Sequence, residues 1–142
     1  MTTKEVKDYL MQYRNAVKRA AAATDHIMEL RAMAERITPQ YSVGGCGGSH
    51  STGDKLGAAV ARVVDAENRV SDELEMLEAT EREVVSTISA VQDATLSTLL
   101  YERYVNGKTW EQIAVKMNYT YRRVTQLHGA ALILVEQIIT AS

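Results

Sequence analysis

Apolar side chains recur at intervals of three and four residues along most of this chain, the spacing that lines one face of an α-helix. In a first segment, from Thr3 to Ile37, the apolar or small positions are Val6, Leu10, Tyr13, Val17, Ala20, Thr24, Ile27, Ala34 and Ile37. Arg31 is the one interruption. The pattern predicts a single helix that starts at Thr3 as N-cap and ends before Thr38-Pro39, because the residue before a proline avoids the helical conformation.

A second segment from Asp54 to Gln92 repeats this rhythm. Its apolar positions are Leu56, Val60, Val63, Val70, Leu74, Leu77, Val84, Ile88 and Val91, with breaks at Glu67 and Glu81. Heptads sustained over such a length favour a coiled coil. Residues 38–53 between the segments include the Gly- and Ser-rich stretch QYSVGGCGGSHSTG. They predict a loop, which would let residues 1–92 fold back as a long antiparallel coiled-coil hairpin.

Residues 93–142 form a separate pattern, which predicts a three-helix head. Asp93 is placed to cap a helix that runs to Asn106, and Gly107 is placed to stop it. The inward residues of that helix are Leu96, Leu99, Leu100 and Val105. Two further helices are needed to cover this apolar face. The last of them extends into the stretch AALILV at 130–135, which is apolar on every side and must be buried against other helices.

The stretch TWEQIAVKMNYTYRRVTQLH, residues 109–128, fits a helix-turn-helix at each constrained position. Thr109 and Gln112 form a capping-box pair, Asn118 suits a left-handed turn, and Thr120 suits the cap of the second helix. The inward positions are Ile113, Ala114, Met117, Val124 and Leu127. Such motifs place their second helix in the major groove of DNA, so this stretch predicts a DNA-binding end.

The second helix and its surroundings supply candidate DNA contacts. The predicted base-reading residues are Tyr121, Arg122, Thr125 and Gln126. Arginine pairs with guanine O6 and N7, glutamine with adenine, and threonine can touch a thymine methyl group. The predicted phosphate contacts are Lys108, Lys116, Thr120 and Arg123. Ordinary solvated side chains at these positions are the alternative.

Composition predicts an all-α globular protein of the cytoplasm. Apolar residues make up 46% of the chain and charged residues 24%, with one proline and one cysteine. A lone cysteine forms no internal disulfide, in keeping with a reducing compartment. We expect no membrane helix, because no apolar run reaches about 18 residues, and no secretory signal at the N-terminus.

Neither an enzyme nor a cofactor site is predicted. Cys46 and His50 are spaced as metal ligands could be, but a tetrahedral zinc site needs more partners, and only His26 and His128 remain as histidines. The segment GSHSTGDK from Gly48 departs from the phosphate-binding loop pattern in two ways. Its lysine is displaced by one position, and the segment before the loop is predicted to be a helix rather than a strand. The acidic residues follow long helices rather than gathering in a pocket.

The segments LLYERYVNGKTWEQIAVKMNY and NYTYRRVTQLHGAAL resemble region 4 of bacterial sigma factors. The matching positions are Thr120, Arg123, Val124, Gln126, Leu127, Ala131 and Leu132. Over nearly its full length the chain is similar to small phage and prophage regulators of late transcription, of the ArpU and RinA type. The resemblance implies a bacterial host cytoplasm. Arg122 and Thr125 depart from the residues that help sigma factors read the −35 element, so a different target sequence is expected.

The charge of the predicted head indicates that it needs a partner to bind DNA. Residues 93–142 carry five basic and four acidic side chains, so a lone head should bind DNA weakly. We therefore expect a homo-oligomer, most simply a dimer, or help from RNA polymerase. Two other functions fit a coiled coil joined to DNA-binding helices: a phage small terminase subunit that recognises packaging sites, and an interaction adaptor that does not bind DNA.

Overall fold

The computed structural model describes residues 1–37 and 49–142, and the prediction of an all-α protein is confirmed for these residues. The helices are α1 (Thr3–Ile37), α2 (Ser49–Ser89), α3 (Ala94–Leu100), α4 (Trp110–Met117) and α5 (Tyr121–Ala141). A π-helical turn, Tyr101–Val105, continues α3 directly. The described residues contain no β-strand.

The chain divides into two compact units. Unit 1 comprises Met1–Val17 and Leu77–Ser142, and unit 2 comprises Lys18–Met76. This division differs from a boundary at 92/93, because the first turns of α1 and the last turns of α2 belong with the C-terminal helices. The predicted head therefore shares its compact unit with part of the predicted hairpin.

The core of unit 1 brings four helices together. Its buried residues come from α1 (Val6, Leu10), from the end of α2 and the turn after it (Val84, Ile88, Val91), from α3 and the π-helical turn (Leu96, Leu100, Tyr104, Val105) and from α5 (Ala131, Leu132, Val135). The apolar stretch at 130–135, predicted to be buried, is buried within the chain only through Ala131, Leu132 and Val135, whereas Ile133 is 58% exposed. Tyr9 links α1 to α2 through a hydrogen bond of 2.8 Å between its hydroxyl and that of Thr87.

Unit 2 consists of the later part of α1 and the earlier part of α2, packed antiparallel. Ile27 and Leu30 of α1 pack with Ala66 of α2, and Val63 and Val70 flank them. Two ion pairs at the edges of this packing follow the same antiparallel order, since the earlier residue of α1 pairs with the later residue of α2. They join Arg19 to Glu73 at 3.5 Å and Arg31 to Glu67 at 3.2 Å. Exposed pairs of this kind contribute about 0.2–1 kcal/mol each, so the apolar contacts carry most of the stability.

The packed face of α2 differs from the predicted heptad phase. The sequence pattern placed Leu74 inside and made Glu67 and Glu81 interruptions, but Leu74 is 48% exposed. The buried positions are instead Ala66 and Thr80, each one residue before a predicted interruption. Similarly, Leu30 of α1 is buried where the pattern met the interruption at Arg31. The small Ala66 side chain leaves room for Leu30, while Glu67 and Arg31 pair at the edge.

The loop predicted for 38–53 is too long at its C-terminal end. Helix α2 begins at Ser49, so residues 49–53 are helical. Once a helix has formed, each added residue gains a backbone hydrogen bond without a new nucleation cost, and α2 extends in this way past the expected Asp54. Residues 38–48, with Cys46, lie outside the described residues.

Helix α5 qualifies the expectation that no helix could cross a membrane. By length and composition alone, Tyr121–Ala141 is long and apolar enough to do so. Val124, His128, Ala131, Leu132 and Val135 are nevertheless buried in unit 1, as in a helix that packs against other helices of its own protein.

Candidate nucleic-acid interface

Helix α4 starts with the predicted capping box. The Thr109 hydroxyl accepts a hydrogen bond from the Gln112 backbone N–H at 3.2 Å, and the Thr109 N–H donates to Oε1 of Gln112 at 3.0 Å. These two bonds satisfy donors that the first turn of a helix leaves without partners. The start of α4 is thereby fixed by its own sequence.

The turn between α4 and α5 also has the predicted geometry. Asn118 adopts a left-handed conformation, with φ 59° and ψ 40°, which asparagine tolerates better than most residues. The backbone N–H of Tyr119 donates to the carbonyl of Ala114 at 3.0 Å. Thr120 then caps α5, since its hydroxyl accepts from the Arg123 N–H at 3.1 Å. The chain therefore passes from α4 to α5 within residues 118–120.

A small core holds the two helices against α3. It consists of Leu99, Ile113, Ala114 and Val124, with Trp110, Met117 and Leu127 partly buried beside it. Leu99, Ile113 and Val124 have no exposed surface. This packing fixes how α5 presents its opposite face.

The four predicted base-reading residues are all exposed, on two sides of α5. Arg122 and Gln126 are one turn apart and lie opposite the buried Val124. Tyr121 and Thr125 lie to one side, where they line a recess with Trp110 and His128. The outer face opposite Val124 also contains Gly129 and Ile133, which follow Arg122 and Gln126 at helical spacing. We call Arg122, Gln126, Gly129 and Ile133 the outer face of α5.

The predicted phosphate contacts differ in their exposure and in the hydrogen bonds that they already form within the protein. Arg123 is exposed on α5, and Thr120 uses its hydroxyl oxygen for the cap. Lys108 is half-buried, and its carbonyl accepts a hydrogen bond from Arg103 at 3.0 Å. The Lys116 ammonium lies 2.6 Å from a carboxylate oxygen of Glu102. Lys116 therefore has a partner within the protein.

Glu102 is a buried acid that the sequence pattern did not single out. It lies in the π-helical turn, where the Asn106 N–H donates to the Tyr101 carbonyl and the Lys108 N–H to the Glu102 carbonyl, both at 3.0 Å. The hydrogen bond from Lys116 is the main influence that holds the Glu102 pKa below its ordinary value, against the opposing effect of burial, and Asn106 and Lys108 contribute further. Its second carboxylate oxygen, Oε2, is buried and accepts no hydrogen bond from the residues that the structure describes.

Three rings gather beneath the start of α5. The Tyr104 hydroxyl lies 2.7 Å from Nε2 of His128, and the ring of Trp110 lies 4.4 Å from that of His128, between centroids. Burial lowers the His128 pKa to about 4, with the charges of Lys7 and Arg103 acting in the same direction. Burial also raises the Tyr104 pKa to about 12. Both groups are therefore neutral at neutral pH.

Sequence reasoning missed four residues around α5. Gly129 and Ile133 belong to the outer face but have no side-chain chemistry that suggests DNA contact. Arg103 stacks over Trp110, with its guanidinium carbon 4.5 Å from the ring centroid. Lys7 reaches the same recess from α1. Its separation of more than ninety residues from α5 gives no signal in the sequence.

Comparisons of the chain with protein family models, with curated proteins and with solved structures find no match.

Proposed function

We propose that this protein is a sequence-specific DNA-binding transcription regulator of phage or prophage type. In this proposal residues 1–92 are an antiparallel coiled-coil hairpin, and residues 93–142 are a sigma-region-4-like helix-turn-helix head. The supporting observation is the exposed outer face of α5, which follows a capped helix and a three-residue turn. A surface helix held in this way can enter the major groove with its first turns.

The two strongest base-reading candidates are Arg122 and Gln126. One helical turn separates them by about 6 Å along α5, which compares with about 3.4 Å per base-pair step, so they can reach base pairs one or two steps apart. Arg122 would pair with guanine, and Gln126 with adenine. Thr125 and Tyr121 would contact the edge of the same site. In this role the buried Val124 fixes the rotation of α5, and the side chains opposite it read the bases.

Phosphate contacts would hold the helix in register. Arg123 and Lys108 are the best placed by charge, and Thr120 lies at the N-terminus of α5, where backbone N–H groups and the helix dipole favour an anion. Lys116 is the weakest candidate, because a phosphate would compete with Glu102 for its ammonium.

The proposal includes a second subunit and a cytoplasmic location in a bacterial host. The exposed apolar residues Val60, Val64 and Leu74 of α2, each about half exposed, provide a surface on which a second copy could pack. Two heads on one DNA molecule would offset the small positive charge of each head. RNA polymerase is a further proposed partner, because the sigma-like resemblance implies contact with it.

The test is selection of bound duplexes from a random DNA pool, followed by binding measurements on the selected sequence. Arg122→Ala should weaken specific binding by about 1–3 kcal/mol and relax preference at one base position. Arg82→Ala, an exposed arginine of α2 away from α5, serves as the matched control. An equal loss on every sequence would make Arg122 a phosphate contact. No binding at low salt would favour the adaptor function, and ring-shaped oligomers would favour the terminase.

A further inference from the structure

A recess beside the start of α5 combines positive charge with aromatic rings. Its volume is about 310 Å³, and its lining includes Lys7, Arg103, Trp110, Tyr121, Thr125 and His128. All of these belong to unit 1. We call it the Trp110 recess. It lies on a neighbouring side of α5 from the outer face, since Tyr121 and Thr125 form one of its walls.

The charges in the Trp110 recess have no counterions in the described part of the chain. Lys7 and Arg103 line it, no acidic residue does, and neither cation forms an ion pair with a described residue. Two cations that converge on one concave surface without a carboxylate favour an anionic ligand.

Arg103 is held in place for such a ligand. Its guanidinium stacks on the Trp110 ring, and Nη1 donates to the Lys108 carbonyl. These contacts fix the plane of the group and use one of its five N–H donors, which leaves an edge that can bind phosphate oxygens. His128 adds no positive charge at neutral pH, since its pKa is about 4. Charge in the recess therefore comes from Lys7 and Arg103.

We infer that the Trp110 recess binds a phosphate group, held by Lys7 and Arg103 beside Tyr121. Given the DNA binding proposed above, on which this step rests, the group is a backbone phosphate next to the first turn of α5. The N-terminal helix α1 then takes part in DNA binding through Lys7. This assignment accounts for the convergence of two cations, 96 residues apart in the chain, on the flank of α5.

The salt dependence of DNA binding tests the assignment. Lys7→Ala should weaken binding to all sequences alike and lower the slope of log affinity against log salt by about one phosphate contact. Lys4→Ala removes the same charge from an exposed position on the same helix that does not line the recess, and it should leave the slope unchanged. Equal slopes for the two variants would overturn the assignment.

A second measurement separates this inference from the proposed function. Trp110 is the single tryptophan of the chain, so its fluorescence reports on the recess. If the wild-type protein binds no duplex at all, the proposed function fails. Titration with thymidine monophosphate and with inorganic phosphate, followed by Trp110 fluorescence, then tests whether the recess still binds a phosphate group. A saturable fluorescence change that Lys7→Ala weakens about tenfold would support a phosphate site for a free nucleotide. No change, or the same change in Lys7→Ala, would overturn it.

Discussion

The Tyr104 hydroxyl and Nε2 of His128 are 2.7 Å apart in the interior of unit 1, between the π-helical turn and α5. Burial lowers the pKa of His128 to about 4, and the charges of Lys7 and Arg103 act in the same direction, so the folded protein favours the neutral imidazole.

The stability of the protein should fall as the pH is lowered from about 7 to about 5. His128 has a pKa of about 4 when folded and an ordinary value of 6.5, so the unfolded chain takes up the proton first. The resulting loss is about 2 kcal/mol of unfolding free energy at pH 5, from about 1.4 kcal/mol per pKa unit.

Denaturant unfolding at several pH values measures this loss. His128→Gln keeps a hydrogen-bonding group near Tyr104 and should remove most of the pH dependence in this range. His26→Gln changes an exposed histidine of α1 and should keep the wild-type profile. An identical profile for His128→Gln would show that other groups cause the effect.

Lys116→Met should destabilise the protein by about 1–3 kcal/mol, because it leaves the buried carboxylate of Glu102 without its close partner. Half of the Lys116 side chain is exposed, so water can replace part of the contact and the low end of the range is expected. Glu102→Gln in the same background should restore stability, since it removes the buried charge. If Lys116→Met leaves unfolding unchanged but weakens binding to every DNA sequence, Lys116 is a phosphate contact, as the sequence predicted.

The features that the sequence predicted well are those that depend on near neighbours in the chain. The capping box of Thr109 and Gln112, the left-handed Asn118 and the cap at Thr120 each involve residues within four positions of one another. The preference of asparagine for this turn and of threonine for a cap is intrinsic, so no knowledge of the tertiary structure was needed.

The heptad phase and the recess could not be read in the same way. Along α2, apolar residues occupy two adjacent heptad phases, and the choice between them depends on which phase meets Leu30 of α1. At that level Ala66 is buried and Glu67 pairs with Arg31 at the edge, whereas one heptad later the apolar Leu74 is 48% exposed, so hydrophobicity alone does not fix the phase. The Trp110 recess depends on the placement of Lys7 and on the π-helical turn at Tyr101–Val105, and both are consequences of packing in unit 1.

The protein should be a dimer in solution that is held by the exposed apolar residues of α2. Val64→Gln combined with Leu74→Gln should convert it to a species of 15.7 kDa without unfolding, because both side chains are 48% exposed and leave the packed face intact. Light scattering measures the mass, and circular dichroism checks the helix content. Val115→Gln, on the exposed side of α4, is the control and should leave the mass unchanged. A wild-type mass near 15.7 kDa at micromolar concentration would contradict the dimer.

Gly129→Ala should stabilise the protein yet weaken DNA binding. Gly129 lies within α5, and a Cβ added there meets no atom within 4 Å. Replacing a helical glycine by alanine in open space gains about 0.5–1 kcal/mol. Glycine at position 129 makes the helix less stable than alanine would. Close approach of DNA to the outer face between Gln126 and Ile133 would explain why this position is a glycine.

Gly107→Ala gives the contrast, because Gly107 has a φ of +70° and a Cβ there would lie 2.6 Å from the Arg14 guanidinium. That change should lower the melting temperature. If Gly129→Ala raises the melting temperature and leaves DNA affinity unchanged, the glycine has no role in close approach, and the DNA contact of the outer face ends at Gln126.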